Sequence, residues 1–221
     1  NRMTQTKRMN PIRCLSRTTS QTRPKPLPLK RSSVYAVLST LIICKVSLVA
    51  KKQVRKILSN DKFTKIEGVF RKHFQLGLET TDPNGREINS LCSSDCHPTF
   101  CKIVRSSKVG LRRCSNERRR SLEIAIETGQ SYICICHAGI VLVCVPIMDK
   151  DKALGGMFFG KCLWGPVTET LVDDINKKLQ DIRLNKNKLD VSIDKLPIIP
   201  GRNINKAAEF LFDLLYEVGS F

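Results

Sequence analysis

Acidic residues are missing from the beginning of the chain. Residues 1–56 carry 14 Lys and Arg and no Asp or Glu, whereas residues 57–221 carry 24 basic and 20 acidic residues. Most of the formal charge of +18 therefore belongs to an amino-terminal arm, and the rest of the chain is close to balance at +4. A basic balance points to phosphates or anionic surfaces, and here it does so for the arm alone. Histidine is scarce, with three in 221 residues, and aromatic residues make up only 6%. The sequence has no His-Glu-x-x-His helix, no Gly-Lys-Ser phosphate loop and no Cys-x-x-Cys pair. Those absences exclude the zinc-peptidase, nucleotide-loop and zinc-ribbon patterns. No uninterrupted apolar run reaches the ~20 residues of a spanning helix. The composition fits neither a collagen nor a coiled coil.

Cysteine, by contrast, is abundant. Of ten cysteines, Cys14 and Cys44 lie in the arm and eight crowd between 92 and 162. An even count could mean a disulfide framework, but a chain of this length does not need staples, and no cleavable signal peptide is clear. Reduced thiols in a cytoplasmic protein are expected, used as small apolar side chains or as ligands.

Residues 1–52 form the arm. Its first 33 residues are polar and basic, with Pro24, Pro26 and Pro28, and cannot bury a core. Residues 34–50 are apolar but interrupted by Lys45, whose charge would cost ~2.5–3.5 kcal/mol at mid-bilayer. A marginal membrane anchor, a targeting segment and non-native sequence remain three open readings of this run.

The body begins near residue 53. Val54, Ile57, Leu58 and Ile66 have helical spacing, with Gly68 as the stop. Phe74, Leu76 and Leu78 alternate as in a strand. Asp82-Pro83-Asn84-Gly85 predicts a turn, because Pro fixes φ and Asn-Gly tolerates positive φ. A returning strand over 86–90 and a short helix over 98–104 follow. Ser115 or Asn116 would cap a helix ending at Gly129. The β-branched run 132–147 predicts one or two central strands interrupted at Gly139, and 154–163 their partner. Leu171, Val172, Ile175, Leu179 and Ile182 mark an amphipathic helix. Residues 184–202 are expected to be a linker, and 203–221 a terminal helix with Ile204, Leu211 and Val218 seven apart. Hairpins alternating with helices around an antiparallel sheet make an α+β domain.

Several pieces of this body carry a family resemblance. They are Phe100-Cys101, Cys114, the run Cys136-His137-Ala138-Gly139-Ile140, Val145-Pro146-Ile147, and Gly155-Gly156 followed by Gly160. Together they resemble the PocR sensory domain over roughly 53–183, with the terminal helix similar to that family's exit helix. The resemblance implies a PAS/GAF-like antiparallel sheet flanked by helices. It implies a small-molecule-sensing input module of a bacterial or archaeal regulator, with a DNA-binding or kinase output domain beyond the chain and a diol-like metabolite as the kind of ligand. The implied ligand-binding residues are Cys101, Cys114, Cys136, His137, Gly155 and Gly156. Cys92, Cys96, Cys134, Cys144 and Cys162 are additional to the motif cysteines.

The same residues are open to other chemistry. Cys101, Cys114, Cys136 and His137 could hold zinc or an iron–sulfur cluster, giving a redox sensor on the same fold. Adjacent strand residues point to opposite faces, so Cys136 and His137 could share an ion only if the strand ends there. A catalytic role is not expected, since that adjacency is poor for a nucleophile and its base. His137 is either a polar contact in an apolar pocket or a satisfied core histidine. His73 and His97 are expected at the surface, and Arg112, Arg113, Arg118, Arg119 and Arg120 on a solvated helix face. The terminal helix either packs on its own domain or forms a homodimer, and the latter is expected. Specific nucleic-acid binding is not. The cytoplasm is the expected location, with membrane anchoring through 34–50 as the alternative.

Overall fold

A computed structural model describes residues 52–218, except 53, 57 and 151. The arm with its apolar segment 34–50 lies outside the described residues. Helix α1 spans Asn60–Phe74. Ser59 caps it by accepting from the Lys62 N–H at 3.3 Å, and Gln75 closes it in the left-handed conformation at φ 56°. The helix expected from Val54 to Gly68 is interrupted: 54–56 are helical, the helix breaks at Leu58 and Ser59, and α1 follows. Ser59 starts a new helix, and Gly68 is carried within it, because that position is exposed and Phe63, Ile66 and Phe70 bury the opposite face. A mid-helix glycine costs about 1 kcal/mol, which such burial outweighs.

Strands β1 (Glu79–Thr81) and β2 (Glu87–Cys92) follow, joined by the expected turn. Asp82 Oδ1 accepts from the Asn84 and Arg86 N–H groups, both at 2.9 Å, and Gly85 has φ 72°. Helix α2 (Thr99–Arg105) leads into α3 (Lys108–Thr128). The sequence placed the start of α3 at Ser115 or Asn116. The cap is Ser107, which accepts from the Gly110 N–H at 2.9 Å. Gly110 is required there by packing, since a Cβ would lie 2.0 Å from the Val104 carbonyl oxygen.

Strands β3 (Tyr132–Ile135), β4 (Val141–Asp149) and β5 (Lys152–Cys162) complete an antiparallel sheet in the order β2-β1-β5-β4-β3. Helices α4 (Glu169–Leu179), α5 (Lys186–Ile193) and α6 (Gly201–Val218) end the described chain. The architecture is α+β, an open antiparallel sheet flanked by helices as in PAS/GAF-like folds.

The period of two in β4 sorts its apolar run onto two covered faces. Val141, Val143, Val145 and Ile147 pack with Phe159, α1 and α6. Leu142 and Cys144 pack with Phe158 and with Leu122 and Ala125 of α3. A third apolar cluster joins α2, α4 and α5 through Phe100, Ile175, Leu179, Leu189 and Ile193. The segment 184–202 thus contains a packed helix rather than a free linker: Leu189, Ile193 and Leu196 are buried, and Leu163 pairs with Ile198. On α6, Ile204, Ala207, Ala208 and Leu211 are all buried in the domain's own core. Among the described residues no helix is long and apolar enough to cross a membrane.

Candidate ligand site

A cavity of about 40 Å³ lies between the sheet and helices α2 and α3. Helix α2 contributes Cys101 and Arg105, α3 contributes Cys114, Glu117 and Arg118, and the β3–β4 connection contributes Cys136, His137 and Ile140. Strand β3 ends at Ile135, so Cys136 and His137 fall in a turn and are freed from strand alternation. The Cys136 N–H donates to Ile140 O at 2.8 Å and the Gly139 N–H to Cys136 O at 2.9 Å, with Gly139 at φ 87°. This turn brings the His137 Nε2 to 3.2 Å from the Cys114 Sγ, while the His137 Nδ1 is buried without a hydrogen-bond partner.

The structure therefore gathers Cys101, Cys114, Cys136 and His137 around one cavity. It does not bring Gly155 and Gly156 there. A Cβ on Gly155 would sit 2.1 Å from Thr81 O, and one on Gly156 would sit 2.9 Å from the Phe158 ring. Their smallness admits β1 and neighbouring side chains.

Beside the thiols lies a charged cluster that the sequence reading missed. Glu79 is fully buried. Its carboxylate accepts from the Lys161 Nζ at 2.5 Å, pairs with the Arg118 Nε, and has the His97 Nε2 at 3.4 Å. Lys161 also donates to Cys96 O at 2.5 Å. Glu87 accepts from the Arg105 Nη2 at 2.5 Å and faces His97 at 3.2 Å. Burial by itself would raise the Glu79 pKa, but Lys161, Arg118 and His97 overcome it and hold the group at about 2. His97 is thus no surface residue. Arg118 is buried rather than on a solvated face, whereas Arg113 of the same run pairs with exposed Asp181. One signal for Arg118 was present: Cys114, Arg118, Ser121, Leu122 and Ala125 share one helical face. Lys161 interrupts an apolar strand, a second such signal. Glu79 had none.

Burial pushes the Cys101 thiol up to about 12 and the Cys136 thiol to about 11, and it raises Cys114 as well. Burial, with the charges of Arg113 and Arg118, pushes His137 down to about 4. At neutral pH the Cys114–His137 pair is a neutral thiol against a neutral imidazole. Nucleophilic catalysis needs the opposite, a thiol pKa depressed beside a cation or base. The pair is suited to hydrogen bonding instead.

The metal candidates Cys101, Cys114, Cys136 and His137 do not form a set with all donor atoms within 4.8 Å of one another. Among the described residues, the sets that do are Glu79–Cys96–His97 and Glu87–Cys92–Cys96.

Residues 56–218 match the family model described as the sensory domain found in PocR, a match that runs through 184–202 and α6. Searches of curated proteins and of solved structures returned no match. On this match, the chain belongs to the family of sensory domains found in PocR.

Proposed function

We propose that this sensory domain is the input module of a bacterial or archaeal signalling or transcription regulator, and that it binds a small, uncharged, hydroxylated metabolite, such as a short diol, in the cavity between the sheet and α2–α3. The observation that carries the reading is the buried, unpartnered Nδ1 of His137 beside that cavity. A buried polar atom without a partner costs about 1–3 kcal/mol, and a ligand hydroxyl would offset that cost. Cys114 at 3.2 Å holds the other ring nitrogen and so orients the imidazole. Ile140, Val141 and Leu142 supply apolar wall. A cavity of about 40 Å³ has room for about three waters, so the ligand has few heavy atoms.

Binding would favour one arrangement of α4 and α6, and this requires a difference in affinity between two states. The α6 face bearing Phe212 and Tyr216, stacked at 4.3 Å, is the surface through which a homodimer would form and pass the signal to an output domain. The competing metal or iron–sulfur reading on Cys101, Cys114, Cys136 and His137 has geometry against it, since no three of these residues have donor atoms all within 4.8 Å of one another. Thermal-shift titration with short diols tests the proposal. The wild-type chain is expected to gain stability, and His137→Ala to lose that gain while keeping its circular dichroism spectrum. An equal gain in the variant removes His137 from the site.

A further inference from the structure

Two cysteines outside the family-like motif meet where β2 gives way to α2. Cys92 is the last residue of β2, and Cys96 and His97 directly precede the Pro98 at the head of α2. The donor atoms of Cys92, Cys96 and Glu87 all lie within 4.8 Å of one another. His97 stands at the edge of this set: its donor atom lies within 4.8 Å of Cys96 but is not grouped with Cys92, its Nε2 is 3.2 Å from both Glu87 oxygens, and its Nδ1 is buried without a partner. Glu87 gives one oxygen to Arg105 and keeps the other.

We propose that Cys92, Cys96, Glu87 and His97 form a binding site for a thiophilic divalent cation of the zinc type. Two sulfurs, one imidazole and one carboxylate are a donor set that zinc takes in tetrahedral geometry, whereas calcium and magnesium take oxygen. Metal–ligand bonds of ~2.0–2.3 Å place tetrahedral donors roughly 3.3–3.8 Å apart. Cys92, Cys96 and Glu87 need only a small contraction from their present spacing, and His97 completes the set by turning toward Cys92. The charges balance. Both sulfurs bind as thiolates, and their two charges offset those of the divalent ion. The resulting dithiolate–carboxylate centre has a net charge of −1 and lies beside the cations Arg105 and Lys161, which stabilise it. Glu79 is left out because Lys161 and Arg118 already neutralise it. An ion here would tie the end of β2 to the start of α2, the helix that carries Cys101 and Arg105 to the cavity.

The test is a cobalt(II) titration of the full chain, reduced and stripped of metal. One equivalent is expected to produce a thiolate-to-cobalt charge-transfer band and the visible bands of a tetrahedral ion. Zinc should bleach them, and protons should be released into weak buffer as the ion enters. Cys92→Ser, which keeps a donor for the Ile88 carbonyl, should weaken binding at least about tenfold. Cys101→Ser and Cys136→Ser should bind as the wild type does. A chain that shows no charge-transfer band overturns the proposal. So does Cys92→Ser binding unchanged, or loss of the band only on replacing Cys101 or Cys136. None of these readouts involves the organic ligand, so this site and the diol reading fail separately.

Discussion

The two faces of the sheet are built on different principles. Toward α1 and α6 the buried residues are apolar, with Phe70 and Phe159 at 5.0 Å edge to face and Phe70 and Phe74 at 5.0 Å. Toward α2 and α3 the sheet meets apolar side chains at one end, but Glu79, Arg118 and Lys161 are buried beside three thiols and an imidazole at the other. Apolar burial stabilises at every contact, whereas a buried ion pair at best offsets its own desolvation. A domain that retains such a cluster next to a cavity keeps polar groups poised there, as a sensor requires. The apolar face holds the scaffold together.

The largest effects should come from deleting one element on either face. Phe70→Ala removes a fully buried ring and should cost about 3–5 kcal/mol in denaturant unfolding. Glu79→Ala should cost about as much for a different reason: Arg118 and Lys161 are left buried and unpaired. The double variant Glu79→Gln with Lys161→Met separates the two causes. It should recover part of the Glu79 loss, because fewer charges remain unpaired. No recovery would mean that the cluster is not an electrostatic unit.

A smaller, pH-dependent effect should distinguish the faces next. The His137 pKa is depressed from 6.5 to about 4, so between those values the unfolded chain takes up a proton that the folded chain refuses. Stability from this group therefore falls as pH falls through that window. His97 is shifted upward: burial opposes its charge, but Cys96 and Glu87 favour it. Its contribution is present at low pH and is lost as pH rises through its folded pKa. The two act in opposite senses, so the comparison must be with a variant. His137→Gln should flatten the fall in stability between pH 6.5 and 4, and identical slopes would show that His137 is not buried neutral.

The smallest expected effect lies on the apolar side. A Cβ on exposed Gly68 of α1 meets nothing within 4 Å, so Gly68→Ala should stabilise by about 0.5–1 kcal/mol. A loss would mean that the α1 backbone at this position is not helical.

Most of the elements could be read from the sequence because local chemistry specifies them. The turn at 82–85, the interruption at Gly139 and the alternation in β4 each have a cause within a few residues. The start of α3 was misread because Gly110 argues against a helix until the close approach of α2 is known. The packed segment 184–202 was misread because polar residues around Asn185 and Pro200 hide a one-sided apolar pattern at Leu189, Ile193 and Leu196.

The sequence by itself marked an interruption at Gly139, which allowed the strand to end near Cys136 and His137, and the structure ends it at Ile135. It also held the combination of motifs that marks the family. Only the tertiary structure decided what surrounds them. Glu79 and Lys161 are 82 residues apart, and Glu87 and Arg105 are 18 apart. Such pairs have no periodicity or spacing to announce them. They exist because antiparallel β1 and β5 lie side by side and α2 and α3 close over them, so that each charge is buried only where its partner already stands.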